Sequence, residues 1–194
     1  MRKYISIAAV LVFVGGLGSY VIASRQAKEK RKVEPKRDVC VISLESQVDR
    51  SGNETFTAMT WQTHEPGNQS HWKIVSKPIG AAGTTEFSHT AEGSFVDNGK
   101  QKIKTNANLA TEELEAKQDE MMRTPAEYLK SPEFAGTDEV AGFKVYKIRT
   151  KLDNDGHWME QSYSPRVGGL PLRIIDHRAD GSEYRMIAVK VEFK

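Results

Sequence analysis

The chain has 194 residues, a formal net charge of +2 and a mean hydropathy of −0.55. Its charge is split: residues 1–37 carry nine Lys/Arg against two Glu, which leaves residues 38–194 at net −5. The folded part therefore lacks the basic excess that neutralising phosphates requires, and nucleic acid is excluded as its partner.

From Tyr4 to Ser24 no charged residue occurs, after the basic start Met1-Arg2-Lys3. A helix needs about 20 apolar residues to cross a bilayer core. Residues 1–24 thus read as a signal-anchor or transmembrane helix, or as a signal peptide with Ile5–Leu17 as its apolar core. Gly15, Gly16 and Gly18 are tolerated in a membrane helix. The flank Arg25–Arg37 holds seven Lys/Arg and suits a juxtamembrane linker lying on anionic headgroups. Read by the positive-inside rule, that flank belongs in the cytoplasm, whereas the Arg-Lys start has the layout of an export signal. The expected place is the cell membrane, with a single pass and an exported domain; secretion after cleavage is the alternative. Cys40 is the lone cysteine and forms no intrachain disulfide, so the core alone must hold the domain. Its spacing with Ile42 and Leu44 marks a small buried hydrophobe.

Residues 38–194 suit one domain with one core. Ser51-Gly52-Asn53, Pro66-Gly67-Asn68, Asn98-Gly99, Asp155-Gly156 and Asp180-Gly181 punctuate it with turn chemistry. Between the turns, apolar and polar residues alternate. Cys40, Ile42, Leu44 and Val48 share one face against Val41, Ser43 and Glu45, and Ile187, Val189, Val191 and Phe193 share one against Met186 and Ala188. Strands are predicted over 39–48, 54–62, 71–77, 84–90, 93–97, 100–105, 142–150, 157–164, 170–178 and 183–193. Lys100, Lys102 and Lys104 suit a solvent-facing edge.

One helical island interrupts the strands. Thr111 is a plausible N-cap before Glu112 and Glu113, with a thin stripe of Leu114, Met121 and Met122. Thr124-Pro125 restarts a short helix whose apolar face is Tyr128, Leu129 and Phe134. The expected fold is mainly β (α+β). It is a curved antiparallel sheet or half-open barrel with a short helical insertion, preceded by the N-terminal hydrophobic helix.

Catalytic patterns are lacking. His64, His71, His89, His157 and His177 have no metal-ligand spacing, and no GxSxG, GxxxxGK[ST] or GxGxxG occurs. Asp153-Asn154-Asp155-Gly156 starts like a calcium loop, but Trp158 and Ser164 stand where glycine and glutamate are required, so it is a hairpin turn. Asp176 and His177 alternate across a strand and cannot form a dyad. No metal and no cofactor is expected.

Trp61 shares a face with Met59, and Trp72 with Ile74. Trp61, Trp72 and Trp158 serve as core anchors or line an apolar groove. On the groove reading, Met59, Trp61, Trp72, Met121 and Trp158 are the candidate ligand-binding residues.

Phe143-Lys144-Val145-Tyr146 is followed by Trp158-Met159-Glu160, Tyr163-Ser164-Pro165, Gly169-Leu170-Pro171-Leu172-Arg173-Ile174 and the Asp180-Gly181 turn. This order resembles LolA-like exported domains, which include lipoprotein carriers and the sensor domain of RseB-type regulators. Asp97-Asn98-Gly99-Lys100 is similar to a hairpin of theirs. The resemblance implies a half-open barrel with helices over a concave side that holds acyl chains. The chain departs from it in having only the charged Arg25–Arg37 stretch before the first strand. The expected function is a non-enzymatic, membrane-tethered or exported domain binding an apolar ligand, such as lipid or a lipidated partner. An envelope sensory or scaffold domain working by protein–protein contact is the alternative.

Overall fold

The computed structural model describes residues 39–65, 68–90, 92–104 and 123–193. The segments 1–24, 25–37 and 111–122, Met121 included, lie outside the described residues. No helix among the described residues is long and apolar enough to cross a membrane.

The described chain is mainly β, one open antiparallel sheet of eleven strands with one short helix. The strands are β1 (Val39–Val48), β2 (Glu54–Glu65), β3 (Asn68–Pro78), β4 (Thr85–Thr90), β5 (Gly93–Asp97), β6 (Lys102–Lys104), β7 (Phe134–Val140), β8 (Phe143–Lys151), β9 (Trp158–Tyr163), β10 (Pro171–His177) and β11 (Glu183–Phe193). Their order is β6-β5-β4-β3-β2-β1-β11-β10-β9-β8-β7. Two meanders therefore meet at the β1–β11 pair, in the middle of the sheet, where Val39 stands opposite Phe193 and Val48 opposite Glu183.

The helix α1 (Pro125–Lys130) starts where Thr124-Pro125 places it. Thr124 Oγ1 accepts from the Glu127 amide at 3.3 Å, and the Glu127 carboxylate accepts from the Thr124 amide at 2.6 Å, a reciprocal capping box. Tyr128 is fully buried, its ring stacked 5.1 Å from Tyr146 and 6.3 Å from Tyr163. The expected apolar face of this helix is corrected in two places: Leu129 is exposed, and Phe134 belongs to β7. The periodicity misses β7 altogether. Its run Phe134-Ala-Gly-Thr-Asp-Glu-Val140 holds four residues depleted in strands, Ala135, Gly136, Asp138 and Glu139, and pairing with β8 overrides that local preference.

Two faces of the sheet are conveniently named after neighbours in β1. Register places Val41, Ser43 and Glu45 on the same face as Ala58, Thr60 and Gln62 of β2, Ile74 and Ser76 of β3, and Phe87 and His89 of β4. The same Val41 face continues through Met186 and Ala188 of β11, Ile174 and Asp176 of β10, and Met159 of β9. It is the more buried face. The alternation in β1 suggests the reverse, because Ile42 and Leu44 are the apolar pair; both are only half-buried, while Ser43 is fully buried. Cys40 is buried because both faces are covered at that end of β1. The last strand is also corrected: its pairing with β1 shifts between Ile42 and Ser43. One extra residue, Val189, bulges into solvent, and Val191 is brought opposite Val41, onto the face of Met186 and Ala188.

The β7–β11 half is curled. Three strands separate β7 from β11, about 19 Å across a flat sheet, yet Cα atoms of the two lie within 8 Å of each other. Val140, Val145 and Phe143 join Val39, Val41, Leu172 and Ala188 in one core cluster. Arg173 of β10 bonds Asp138 of β7 at 2.7 Å, and the Phe143 and Phe193 rings lie 6.0 Å apart. On β6, which has one neighbour among the described strands, Lys102 and Lys104 lie over the Phe95 ring at 4.6 and 5.9 Å, and their charge suits a sheet edge.

Candidate functional site

The four described candidates do not share a face. Met59 and Trp61 sit half-buried on the Ile42 face of β2, Trp61 opposite both Ile42 and Val75. Trp72 is on the Val41 face, stacked 6.0 Å from His89. Trp158 is on the Ile42 face of β9, where its indole lies 3.5 Å from the His177 ring and under the Arg149 guanidinium at 4.2 Å. Arg149 in turn bonds Glu160 at 3.0 Å. Beside this stack an open cleft is lined by Pro132, Glu133, Lys151 and His157.

His157 takes the partner that adjacency in sequence denies to His177. Its Nε2 lies 2.6 Å from the buried Asp176 carboxylate and its Nδ1 3.4 Å from Asp153. Both ring nitrogens are held by carboxylates, so neither is placed to activate a nucleophile. Among the described residues no group of three His, Cys, Asp or Glu is arranged to hold a metal.

The feature that sequence reasoning misses lies in the centre of the Val41 face. Ser43, Thr60 and Ser76 stand directly opposite one another on β1, β2 and β3, and all three are buried. Gln62 lies next along β2 and Glu45 next along β1, both buried. Ser43 Oγ, Thr60 Oγ1 and Gln62 Oε1 have no hydrogen-bond partner, while Gln62 Nε2 donates to Met186 Sδ at 3.3 Å. Each such orphaned polar atom costs about 1–3 kcal/mol. Burial pushes the Glu45 carboxyl above the usual range, and a hydrogen bond with Tyr184 offsets this in part. Around the row the face is apolar, with Ala58, Ile74, Phe87, Ile174 and Met186. From β1 to β5 and from β9 to β11 the Val41 face carries neither Lys nor Arg; Lys73, Lys77, Arg173, Arg185 and Lys190 all fall on the opposite face. The only sequence signal was Ser43 and Glu45 opposing an apolar pair, which ordinarily marks a solvent face.

No family model matches this sequence, and no curated protein matches it. Solved structures are matched at low identity and modest TM-score. The MucA/MucB complex of Pseudomonas aeruginosa is matched at 13% identity over 83% of this chain and 53% of that one, with a TM-score of 0.49. A structure of MucB is matched at 15% identity over 95% of this chain and 58% of that one, with a TM-score of 0.45. A LolA superfamily protein from Nitrosomonas europaea is matched at 11% identity, 82% and 87% coverage, and a TM-score of 0.39. The chain thus spans little more than half the length of the MucB structures. All three TM-scores lie below 0.5.

Proposed function

We propose that this chain is a non-enzymatic binding domain that takes an amphiphile, a lipid or a lipidated partner, on the Val41 face of its sheet. The observation that carries the reading is the set of unpaired polar atoms on Ser43, Thr60 and Gln62 within an apolar face. An apolar chain with a polar group satisfies both parts of such a surface, which water or a hydrocarbon alone does not. The curl of the β7–β11 half supports a half-open barrel, and Trp72, stacked on His89, borders the same face.

Tyr4–Ser24 holds the domain at the membrane as an uncleaved helix with the domain exported, and Arg25–Arg37 forms the spacer. The length of the uncharged run, about 31 Å as a helix, supports this. Amino-terminal sequencing of membrane-fraction protein tests it, and a mature chain starting at Ser24 or Arg25 overturns the anchor.

Native mass spectrometry of the 38–194 segment, which holds all eleven strands, tests the binding. The expected result is co-purified lipid or uptake of a fluorescent fatty-acid probe. A protein that is empty and takes up no probe overturns the reading.

A second reading, contact with a protein partner, is favoured by the opposite face. There Ile187, Leu44 and Met59 form one row across three strands, and Ile42, Trp61 and Val75 the next. Val189 is 51% exposed beside them. A contiguous apolar surface of this kind marks an interaction site. Loss of a crosslinked protein partner in Trp61→Glu, with lipid uptake intact, is the result that selects this reading.

A further inference from the structure

We infer that the Ser43–Thr60–Gln62 row selects an amphiphile whose head is neutral and carries hydrogen-bond donors, a hydroxyl or an amide N–H, over one whose head is anionic. The inference rests on the binding reading above and specifies its ligand. Two independent observations carry it. The first is chemical: Gln62 Nε2 is already engaged by Met186, so the side-chain group left over is an acceptor, Oε1. An acceptor is satisfied by a donor and repels a carboxylate or phosphate oxygen. The hydroxyls of Ser43 and Thr60 adapt to either role.

The second is electrostatic. Bringing an anion out of water requires a compensating cation. The strands around the row present none on this face, while Glu45 stands beside Ser43 and Asp176 lies further along the same face. The cations of these strands are on the far side of the sheet, which separates them from the row; Lys144, on this face of β8, is three strands beyond β11 and lies over the Tyr146 ring. A glyceryl or amide head meets every requirement: it brings donors, adds no charge, and continues into an acyl chain that the surrounding apolar residues accept.

The test uses the full chain in phosphatidylcholine vesicles, labelled with a photoreactive palmitoyl probe. Monopalmitoylglycerol and palmitate, which share an acyl chain and differ in the head, compete against the probe at neutral pH. Monopalmitoylglycerol is expected to displace it at about tenfold lower mole fraction, the scale of one well-placed buried polar contact. In Gln62→Met, which removes the acceptor at similar volume, that preference is expected to shrink to about threefold or less, whereas in Thr60→Val, whose hydroxyl serves either head, it is expected to persist. Equal or better competition by palmitate overturns the selectivity and leaves lipid binding standing. A preference for monopalmitoylglycerol unchanged in a Gln62→Met protein that unfolds cooperatively overturns its assignment to this row. Failure of the probe to label the chain overturns the binding reading and the inference with it.

Discussion

His157 Nε2 lies 2.6 Å from Asp176 Oδ1, and this contact fastens the loop that closes the β8–β9 hairpin to the C-terminal end of β10. Asp176 is only 3% exposed, and the Arg178 guanidinium stands further off, at 3.8 Å. His157→Ala leaves a buried carboxylate without its main partner. A loss of about 1–3 kcal/mol is expected, read as a lower urea midpoint with an unchanged slope. An unchanged midpoint refutes a holding role for the pair.

Glu45 gives the fold a pH dependence of definite sign. Burial raises its folded pKa above the unfolded one. Its contribution to stability is therefore fully present below the ordinary glutamate value and is lost as pH rises through the folded value. Urea midpoints for the parent chain and Glu45→Gln, taken at about pH 4 and about pH 8, are expected to diverge, with the parent weaker at the higher pH. Parallel curves show that Glu45 titrates alike in both states.

Much of this sheet was legible, and the failures have identifiable physics. Turn residues are read locally, so the hairpins at Ser51-Gly52, Asn98-Gly99, Asp155-Gly156 and Asp180-Gly181 stand where a glycine able to take positive φ follows a small polar residue. Strand 93–97 and strand 183–193 match to the residue. Which face a strand buries is decided by its neighbours, and there the reading failed: Ser43 and Glu45 look like solvent residues. A bulge cannot be seen in one strand alone, so strict alternation puts Val189 with Val191 where the pairing with β1 separates them. The polar row was invisible for the same reason, since Ser43, Thr60 and Ser76 come from three strands and mean nothing until registered.

The β7–β8 turn was also hidden, because it lacks the usual asparagine. Ala141 has φ 52° and Gly142 φ 78°, the pair of positive values that a two-residue hairpin turn demands. Alanine in that region is disfavoured by about 1 kcal/mol. Ala141→Asn is expected to raise the thermal midpoint by about 2–4 °C, and Ala141→Val to lower it. A midpoint that falls in Ala141→Asn contradicts the turn assignment.

Tyr128 is the one side chain by which α1 buries itself between β8 and β9. Its truncation to alanine removes two ring stacks and opens a cavity, at a cost of about 3–5 kcal/mol. Thr124→Ala, which removes one capping bond, is expected to cost about 1 kcal/mol. Denaturation of both variants checks the ranking; equal losses indicate that α1 is held by its cap rather than by its packing.

The pairing of β1 with β11 also bears on how the chain is made. As the ribosome releases it, β1 gains β2 within a few residues, but its other neighbour follows every other described strand. Throughout that interval Val41, Ser43 and Glu45 belong to a strand with one bare edge, a template open to any extended segment nearby. Closing it requires a loop longer than any other in the sheet, and long-range pairing of this kind is slow. The nascent protein is thus most vulnerable to mispairing at what becomes its best-protected strand, and a helper that guards β1 until β11 emerges would act on the centre of the future sheet, not on its rim.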